Sequence, residues 1–276
     1  MDRFKTMPIT GPPERNLNSA TGELVRFENL TRDFDGTRAV DGLTLSVAKG
    51  EFFGFLGPNG AGKSTTIKMA VGLLKPTSGS IRVFGKDPYG EPLEVKARIG
   101  VVQEEPALYG RLTGLEALTF SGRLYGLDAK TAADHGVDLI EWLGLEEATN
   151  TMVVDYSKGM KRKLALGCAV IHRPGLLFLD EPFTGIDPIA MRKIKEVLKK
   201  MVTDGMTIFF SSHIMELVER LCSRIAILHK GRLFAVGTLD ELRLQQGLPG
   251  SATLEDVFVK TVGATVDEKE ASWLTS

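Results

Sequence analysis

The sequence predicts an α/β fold that is interrupted by a helical subdomain. Short apolar segments, separated by glycines and charged turns, occupy most of the first hundred residues. From about Thr113 to Ile171, apolar residues recur at helical spacing instead. A run typical of a buried strand then returns at Leu176–Leu179. These three observations predict one α/β lobe whose sequence is divided by the helical segment.

The first part of the lobe is predicted to be mainly strand, followed by a helix that begins near Lys63. The third apolar segment ends at Leu56, directly before a glycine-rich stretch. Strands are predicted at Leu24–Phe27, Leu43–Val47, Phe52–Leu56 and Ile81–Phe84, with a strand-like run at Ile99–Val102.

The helical segment and the return to α/β structure are marked by local signals. Thr113 and Glu116 have the spacing of a capping box, and Asp187-Pro188 is a favourable helix start. A second capping box, Thr238 with Glu241, predicts a short helix near the end, after which no clear period is visible. Further strands are predicted at Thr207–Phe210 and Arg224–Leu228.

Composition excludes several classes of protein. The 276 residues are 43% hydrophobic and 25% charged, as in an ordinary globular protein, and the net charge is -1. No global positive field therefore attracts nucleic acid or an anionic membrane. No apolar run approaches the roughly 20 residues of a membrane-spanning helix, so any membrane partner is expected to be another chain. Cys168 and Cys222 lack metal-ligand spacing and are expected to be buried thiols.

The glycine-rich stretch predicts a phosphate-binding loop. Its small residues allow backbone N–H groups to surround a phosphate, and it leads into a helix N-terminus that favours an anion. A plain glycine-rich turn is the alternative, but the preceding strand and following helix favour nucleotide binding. The loop consists of Gly57, Pro58, Asn59, Gly60, Ala61, Gly62, Lys63, Ser64 and Thr65.

Two residues of this loop have side chains suited to nucleotide chemistry. The ammonium group of Lys63 is expected to neutralise the β- and γ-phosphates. The Ser64 hydroxyl is expected to be one ligand of a Mg²⁺ ion that bridges those phosphates.

Leu176–Leu179 delivers two adjacent acids, Asp180 and Glu181, at the strand end where ligands bind in open α/β sheets. Asp180 is expected to hold Mg²⁺, and Glu181 to orient and deprotonate the attacking water. Alone, such a run is more often a plain strand end. A chain with a phosphate loop needs a second metal ligand, which favours the catalytic interpretation.

The order of several motifs resembles the ATPases of the ABC family. Gln103 is followed by Tyr156-Ser157-Lys158-Gly159-Met160, then by Asp180-Glu181-Pro182, then by Gly185-Ile186-Asp187-Pro188, and finally by His213. The signature motif departs from the common Leu-Ser-Gly-Gly-Gln form, but its serine and second glycine are present.

The resemblance covers roughly residues 24–237 and implies a P-loop NTPase core with an N-terminal antiparallel β-subdomain. The nucleotide-binding domain is thus expected at 23–237 and a C-terminal extension at 238–276, while the prolines and asparagines of residues 1–22 predict a loose tail. The helical subdomain, inserted at about 106–171, is part of the nucleotide-binding domain.

The resemblance also implies roles for individual residues. Ser157 and Gly159 would contact the γ-phosphate of ATP held by a second subunit, and Asp187 would communicate between the two sites. Gln103 would reach Mg²⁺ or the attacking water, while His213 would hold Glu181 and water in position. Phe34 would stack on adenine.

Each of these residues has a simpler interpretation. Ser157 could cap a surface helix, followed by a solvated basic face of Lys161, Arg162 and Lys163. His213 could be structural, and Phe34 could be a core aromatic. His135, His172 and His229 match no motif.

The function implied is an ATP-hydrolysing subunit of a membrane transporter. The signature variant and the segment Leu254–Phe258 resemble those of two-component bacterial exporters of drugs, antibiotics or ions. Expected partners are a second nucleotide-binding subunit, in a homodimer with a heterodimer as the alternative, and a separate transmembrane permease, with no nucleic acid. The chain is expected at the cytoplasmic face of the cell membrane, bound peripherally through the permease.

Two other functions explain less of the sequence. An ABC ATPase acting on DNA or the ribosome predicts a long coiled-coil insertion or a second cassette, and neither is present. A small-molecule kinase would use Gly57–Ser64 and Asp180, but it leaves Ser157, Gly159, Asp187 and His213 without roles.

Overall fold

A computed structural model describes residues 22–263 of the chain. The predicted tail at 1–22 therefore falls outside the described residues, except for Gly22. The last part of the predicted C-terminal extension, residues 264–276, lies outside them as well.

A three-stranded antiparallel sheet forms the first layer, with the strand order β2-β1-β4. The predicted strands are confirmed but are longer than their apolar centres, because β1 and β2 continue into the hairpin that joins them. Alternate side chains such as Val25 and Phe27 are fully buried beneath this sheet. The strands are β1 (Glu23–Phe34), β2 (Thr37–Ala48) and β4 (Ser78–Val83).

A six-stranded sheet, with the order β5-β6-β7-β3-β8-β9, forms the second layer. Its first five strands run parallel, and β9 is antiparallel to β8. Every residue of β3, β6 and β7 is buried, which explains their continuous apolar character. The strands are β3 (Phe52–Leu56), β5 (Ile99–Val102), β6 (Leu176–Asp180), β7 (Thr207–Ser212), β8 (Arg224–His229) and β9 (Arg232–Gly237).

Three helices occupy the segment predicted to be helical. Both hydrogen bonds of the predicted capping box at Thr113 are present. The Thr113 N–H donates to the Glu116 carboxylate, and the Glu116 N–H donates to the Thr113 hydroxyl. Short 3-10 turns at Glu146–Ala148 and Val153–Asp155 join the second helix to the third. The helices are α3 (Gly114–Leu124), α4 (Ala129–Leu143) and α5 (Lys158–Val170).

The remaining helices connect or cover the strands. The helix starts near Lys63, Pro188 and Thr238 are confirmed. Four elements are not among the sequence predictions, because each spans ten residues or fewer and its period cannot be read clearly. They are β9 and the helices at Pro92–Lys96, Met215–Leu221 and Leu254–Gly263. The connecting and covering helices are α1 (Lys63–Ala70), α2 (Pro92–Lys96), α6 (Pro188–Thr203), α7 (Met215–Leu221), α8 (Leu239–Gln245) and α9 (Leu254–Gly263).

Phe209 on β7 lies at the centre of the contact between the two sheets. Its ring contacts Phe27 of the antiparallel sheet, with centroids 6.3 Å apart, and Phe53, Phe55 and Phe178 of its own sheet. All five rings are fully buried. This aromatic packing holds the central strands rigidly, and their carboxyl ends carry the residues described next.

Candidate active site

The predicted phosphate loop connects the end of β3 to the first residue of α1, as expected from a strand-loop-helix pattern. Gly62, immediately before the helix, has a φ of 98°, and a Cβ atom there would lie 2.4 Å from the Ala39 carbonyl oxygen. A Cβ on Gly57 would lie 2.6 Å from the carbonyl oxygen of Leu228. Neighbouring backbone thus leaves no room for side chains at either end of the loop, which explains both glycines.

The side chain of Lys63 lies inside this loop and is only 6% exposed. Its ammonium group donates hydrogen bonds to the carbonyls of Gly57, at 2.7 Å, and Pro58, at 3.1 Å. By contrast, Ser64 and Thr65 are half-buried, and neither hydroxyl forms a hydrogen bond with any residue in the range 22–263. These hydroxyls are available to a ligand.

The two predicted acids lie at the end of β6 and are both buried. Asp180 is 3% exposed, and its Oδ1 accepts a hydrogen bond of 2.5 Å from Ser211 on β7. Glu181 has a φ of 48°, which is uncommon for a residue with a side chain. The chain therefore leaves the strand at Glu181, whose carboxylate lies beside the phosphate loop.

The carboxylate of Glu181 joins the loop to the end of β7. One oxygen, Oε1, lies 3.4 Å from Lys63 Nζ and 2.9 Å from His213 Nδ1. The other, Oε2, accepts a weaker hydrogen bond of 3.4 Å from the Ser212 hydroxyl. A cation, a carboxylate and an imidazole therefore meet at one edge of the sheet, because β3, β7 and β6 are parallel neighbours.

Sequence reasoning missed Ser211 and Ser212, which orient the two acids. Both are almost fully buried, and each is 31 positions away from its carboxylate partner. The only signal in the sequence is a pair of hydroxyls directly before His213, at the end of an apolar run. The pairing of β6 with β7 gives these hydroxyls their role.

Gln103 follows β5, whose Val102 is in register with Leu179 of β6. Gln103 therefore lies at the same edge of the sheet as Asp180. Its side chain is half-buried and forms no hydrogen bond with the other described residues. It lines a cavity of about 210 Å³ between the core and the helical segment, together with Leu108, Tyr125 and Cys168.

Ser157 and Gly159 lie at the start of α5. The Ser157 hydroxyl accepts a hydrogen bond of 3.2 Å from the Met160 N–H, so this serine does cap a helix, as in the simpler interpretation. A Cβ on Gly159 would lie 2.7 Å from the Gly185 carbonyl oxygen. No hydrogen bond within residues 22–263 joins Ser157 or Gly159 to the phosphate loop.

The prediction that Lys161, Arg162 and Lys163 form a solvated basic face on α5 is wrong for Arg162. Lys161 and Lys163 are partly exposed and donate to the carbonyls of Val154 and Gly144. Arg162 is 3% exposed and points inward. The difference follows from the helix period, which turns Arg162 toward the core while its two neighbours flank that face.

Asp187 caps α6, since its carboxylate accepts a 2.8 Å hydrogen bond from the Ala190 N–H. That backbone hydrogen bond and the nearby Lys163 hold the pKa of Asp187 below its ordinary value. Asp187 is exposed, in contrast to Asp180 and Glu181. It therefore lies on the surface and not among the buried acids.

Phe34 is the last residue of β1, at the β1–β2 hairpin, and is 40% exposed. The alternative interpretation of Phe34 as a core aromatic is therefore wrong. The guanidinium group of Arg32 lies 4.4 Å from the centroid of its ring. The same hairpin places the Ala39 carbonyl against Gly62. The exposed ring thus lies on the hairpin whose second strand, β2, contacts the phosphate loop.

Neither the two cysteines nor any cluster of potential metal ligands among residues 22–263 forms a further reactive site. Burial raises the pKa of the Cys168 thiol to about 11 and raises that of Cys222 further, so neither forms a thiolate readily. Among residues 22–263, no group of three or more His, Cys, Asp and Glu side chains could hold a metal ion. No helix in this range is both long and apolar enough to cross a membrane.

Comparison with known families supports the interpretation of this geometry. Residues 40–184 match the family described as "ABC transporter". The chain is 42% identical to the linearmycin resistance ATP-binding protein LnrL of Bacillus subtilis, over 79% of this chain and 70% of that protein. It is 39% identical to the daunorubicin/doxorubicin resistance ATP-binding protein DrrA of Streptomyces peucetius, over 84% and 70%.

Solved structures agree with the fold. One, described as an ATP-binding subunit of an ABC transporter, superposes with a TM-score of 0.82 at 35% identity, covering 87% of this chain and 99% of that one. A second, with a TM-score of 0.73 at 24% identity, covers 78% of this chain and 98% of the other. It is described as a dimeric, post-hydrolysis state of an ATP-binding cassette bound to ADP and Pi.

Proposed function

Because the chain belongs to the ABC transporter family, we propose that it hydrolyses ATP between two copies of itself, with Glu181 as the general base, to drive a separate membrane permease. The observation that carries this proposal is the meeting of Lys63, Glu181 and His213 at the carboxyl edge of the parallel sheet. This edge is where ligands bind in open α/β sheets.

The phosphate loop would bind the triphosphate of ATP. Its backbone N–H groups and the N-terminus of α1 favour an anion, and the ammonium of Lys63 would leave the carbonyls of Gly57 and Pro58 to contact phosphate oxygens. Phe34 would offer its exposed ring to the adenine, on the hairpin that contacts the loop.

The donors present fit a magnesium ion. The Ser64 hydroxyl has no hydrogen-bond partner among the described residues, and Asp180 retains one carboxylate oxygen without a hydrogen bond. Together with Gln103 and phosphate oxygens these would supply the hard oxygen ligands that Mg²⁺ requires. The bound ion would polarise the γ-phosphoryl group and neutralise charge on it.

Glu181 would accept a proton from the attacking water. The His213 imidazole would hold the carboxylate through the 2.9 Å contact with Oε1, and Ser212 would orient the second oxygen. Both contacts limit the rotation of Glu181, which fixes the direction from which water is activated.

The second half of each site would come from the other copy. Ser157 and Gly159 lie at a helix start that does not contact its own phosphate loop, and a helix start is suited to an anion. Ile189, two residues after Asp187, is 74% exposed, and Ile214, directly after His213, is 39% exposed. A head-to-tail dimer would cover these apolar side chains and complete both sites.

The permease would dock beside Gln103. Tyr109 and Phe120 pack edge to face, with centroids 5.1 Å apart, and remain 61% and 38% exposed. Leu124, the last residue of α3, and Tyr125, which directly follows it, are also exposed and extend this apolar patch. We place the chain peripherally at the cytoplasmic face of the cell membrane through this contact. The drug-resistance names of the relatives favour export, and they favour transport over action on DNA or the ribosome.

Glu181→Gln tests this function directly. We expect hydrolysis to fall by about 10²- to 10⁴-fold, because the general base is lost, while ATP still binds and a dimer accumulates. ATP turnover and light scattering with ATP and Mg²⁺ measure both. Glu196→Gln, an equal change of charge at an exposed position on α6, is the control.

Two outcomes contradict the proposal in different ways. If Glu181→Gln hydrolyses ATP as fast as the wild type, the assignment of Glu181 as the general base is wrong. If neither chain dimerises with ATP, the homodimer is wrong, and co-purification with a permease becomes the test of an alternative assembly.

A further inference from the structure

Arg162 is a buried cation without an acidic partner in the described part of the chain. It lies on α5, five residues after Ser157, and is 3% exposed. No carboxylate within residues 22–263 forms an ion pair with it. Burying a guanidinium group is costly unless its donors are well satisfied, so the contacts that satisfy this one indicate its role.

The guanidinium group donates to main-chain carbonyls of two separate loops. One nitrogen, Nη2, donates to the carbonyl of Glu104 at 3.0 Å, and the other, Nη1, donates to the carbonyl of Thr184. Hydrogen bonds from a charged donor are among the stronger ones in proteins, and the planar fork of arginine can hold two acceptors at once.

Both loops carry residues of the proposed site. Glu104 directly follows Gln103, while Thr184 lies three residues after Glu181, in the turn that leads to Asp187. The start of α5 contacts the same turn independently, since a Cβ on Gly159 would meet the Gly185 carbonyl oxygen at 2.7 Å. Arg162 therefore lies where three functional segments converge.

We propose that Arg162 is a positioning residue, which fixes the Gln103 loop and the Glu181–Asp187 turn to the helix that begins at Ser157. This inference rests on the proposed function. Because Ser157 serves the partner's ATP while Glu181 and Gln103 serve the chain's own, Arg162 is a direct connection within one chain between the two sites of the dimer.

Arg162 does not act as an arginine that reaches into a phosphate. Its side chain is enclosed, and both terminal nitrogens are already bonded to carbonyls of its own chain. Its loss should leave the phosphate loop intact, because no hydrogen bond links it to Gly57–Thr65 among the described residues. Turnover and nucleotide affinity should therefore respond differently.

The test compares Arg162→Met, Arg162→Lys and the control Lys161→Met. Lys161 is the adjacent residue on α5 and also donates to a carbonyl, that of Val154, at 2.9 Å, but away from both loops. For each variant, kcat per ATP-binding site, KM and the Kd for ATP are measured, with binding stoichiometry correcting for any unfolded fraction.

For Arg162→Met we expect kcat to fall by about 10- to 100-fold with little change in the Kd for ATP, since small misplacements of catalytic groups have effects of this size. Arg162→Lys should restore part of kcat, because an ammonium group keeps the charge but lacks the fork. Lys161→Met should match the wild type.

Two results would overturn the proposal. One is a folded Arg162→Met chain whose kcat per binding site equals that of the wild type. The other is a loss of ATP affinity in Arg162→Met that accounts for its whole loss of turnover. If Arg162→Met does not fold, Arg162→Lys and Arg162→Gln are judged by the same comparison. Glu181→Gln is assayed in parallel. If the wild type hydrolyses ATP and Glu181→Gln does not, the proposed function is upheld, whatever the Arg162 variants show.

Discussion

The ammonium group of Lys63 lies 3.4 Å from the carboxylate of Glu181, and the two side chains are only 6% and 8% exposed. The cation suited to bind phosphate is therefore paired with the proposed base in this structure. ATP binding would draw Lys63 toward the phosphates and leave Glu181 with His213 and Ser212. In the proposed function, ATP binding and the release of the base would thus be linked through one lysine.

Lys63→Met should weaken ATP binding without unfolding the chain. Hydrogen bonds to charged groups contribute about 1.5–3 kcal/mol each, so losing this contact should raise the Kd at least about tenfold. The fold should persist because Glu181 keeps its other two partners. Binding of a fluorescent ATP analogue measures the affinity. Lys68→Met, at an exposed position on the same helix, is the control, and equal affinities in the two variants would contradict the role of Lys63.

Gly62→Ala should disrupt the phosphate loop by a steric clash in addition to backbone strain. Gly50 offers a matched control, because it also has a positive φ, of 78°, but a Cβ there would meet nothing within 4 Å. Gly50→Ala should thus cost only about 1–2 kcal/mol of unfolding free energy, the cost of the left-handed conformation. Gly62→Ala should in addition lose ATP binding, since the Ala39 carbonyl lies 2.4 Å from its Cβ. Urea unfolding and ATP titration separate the two effects, and normal ATP binding by Gly62→Ala would refute this account.

Ser211→Ala should raise the Mg²⁺ concentration that hydrolysis requires. The buried Ser211 hydroxyl donates a 2.5 Å hydrogen bond to Asp180, and removing such support for a metal ligand typically costs about 10- to 100-fold in metal affinity. Turnover is measured over a range of Mg²⁺ at saturating ATP. Ser223→Ala removes a hydroxyl that donates to the Phe52 carbonyl at the opposite end of the sheet, and it should leave the Mg²⁺ dependence unchanged. An unchanged dependence in Ser211→Ala would show that Asp180 needs no such support.

Sequence patterns predicted the parts of the site that depend on neighbouring residues. The phosphate loop follows from glycine spacing between a strand and a helix, and Asp180-Glu181 follows from the end of a buried strand. The motif order then gave Gln103, Ser157 and His213 their expected roles, which remain proposals.

Features that depend on distant contacts could not be predicted. The Ser211–Asp180 bond requires β7 to pair with β6, and the contact between Arg162 and Glu104 spans 58 positions. In the sequence, Arg162 looks like one of three solvated basic residues. Only the packing of α5 against the sheet shows that it is buried. Helix α9 escaped prediction for another reason, since three of its ten residues are valines, a residue type enriched in strands, and so short a segment gives a weak periodic signal.

His172 should make the chain less stable in mild acid. Its ring stacks on Tyr125, with centroids 3.5 Å apart, and Nε2 donates to the Ile99 carbonyl, so the buried Nδ1 has no hydrogen-bond partner in the described structure. A second proton would place an unpaired charge there, and burial accordingly lowers the pKa of His172 to about 4. Below the unfolded value of 6.5, the unfolded chain binds this proton more readily than the folded one.

The stability that neutral His172 contributes is therefore complete above about pH 6.5 and is lost as the pH falls toward 4. From these pKa values, the loss is about 2 kcal/mol between pH 7 and pH 5. His172→Gln keeps an N–H donor but does not titrate, so its unfolding free energy in urea should change less over this interval than that of the wild type. Lys130→Gln introduces the same residue type at a side chain that is 88% exposed, and it should retain the wild-type pH dependence. If His172→Gln loses as much stability as the wild type between pH 7 and pH 5, the acid sensitivity comes from other groups, and the stacked imidazole takes up its proton without hindrance.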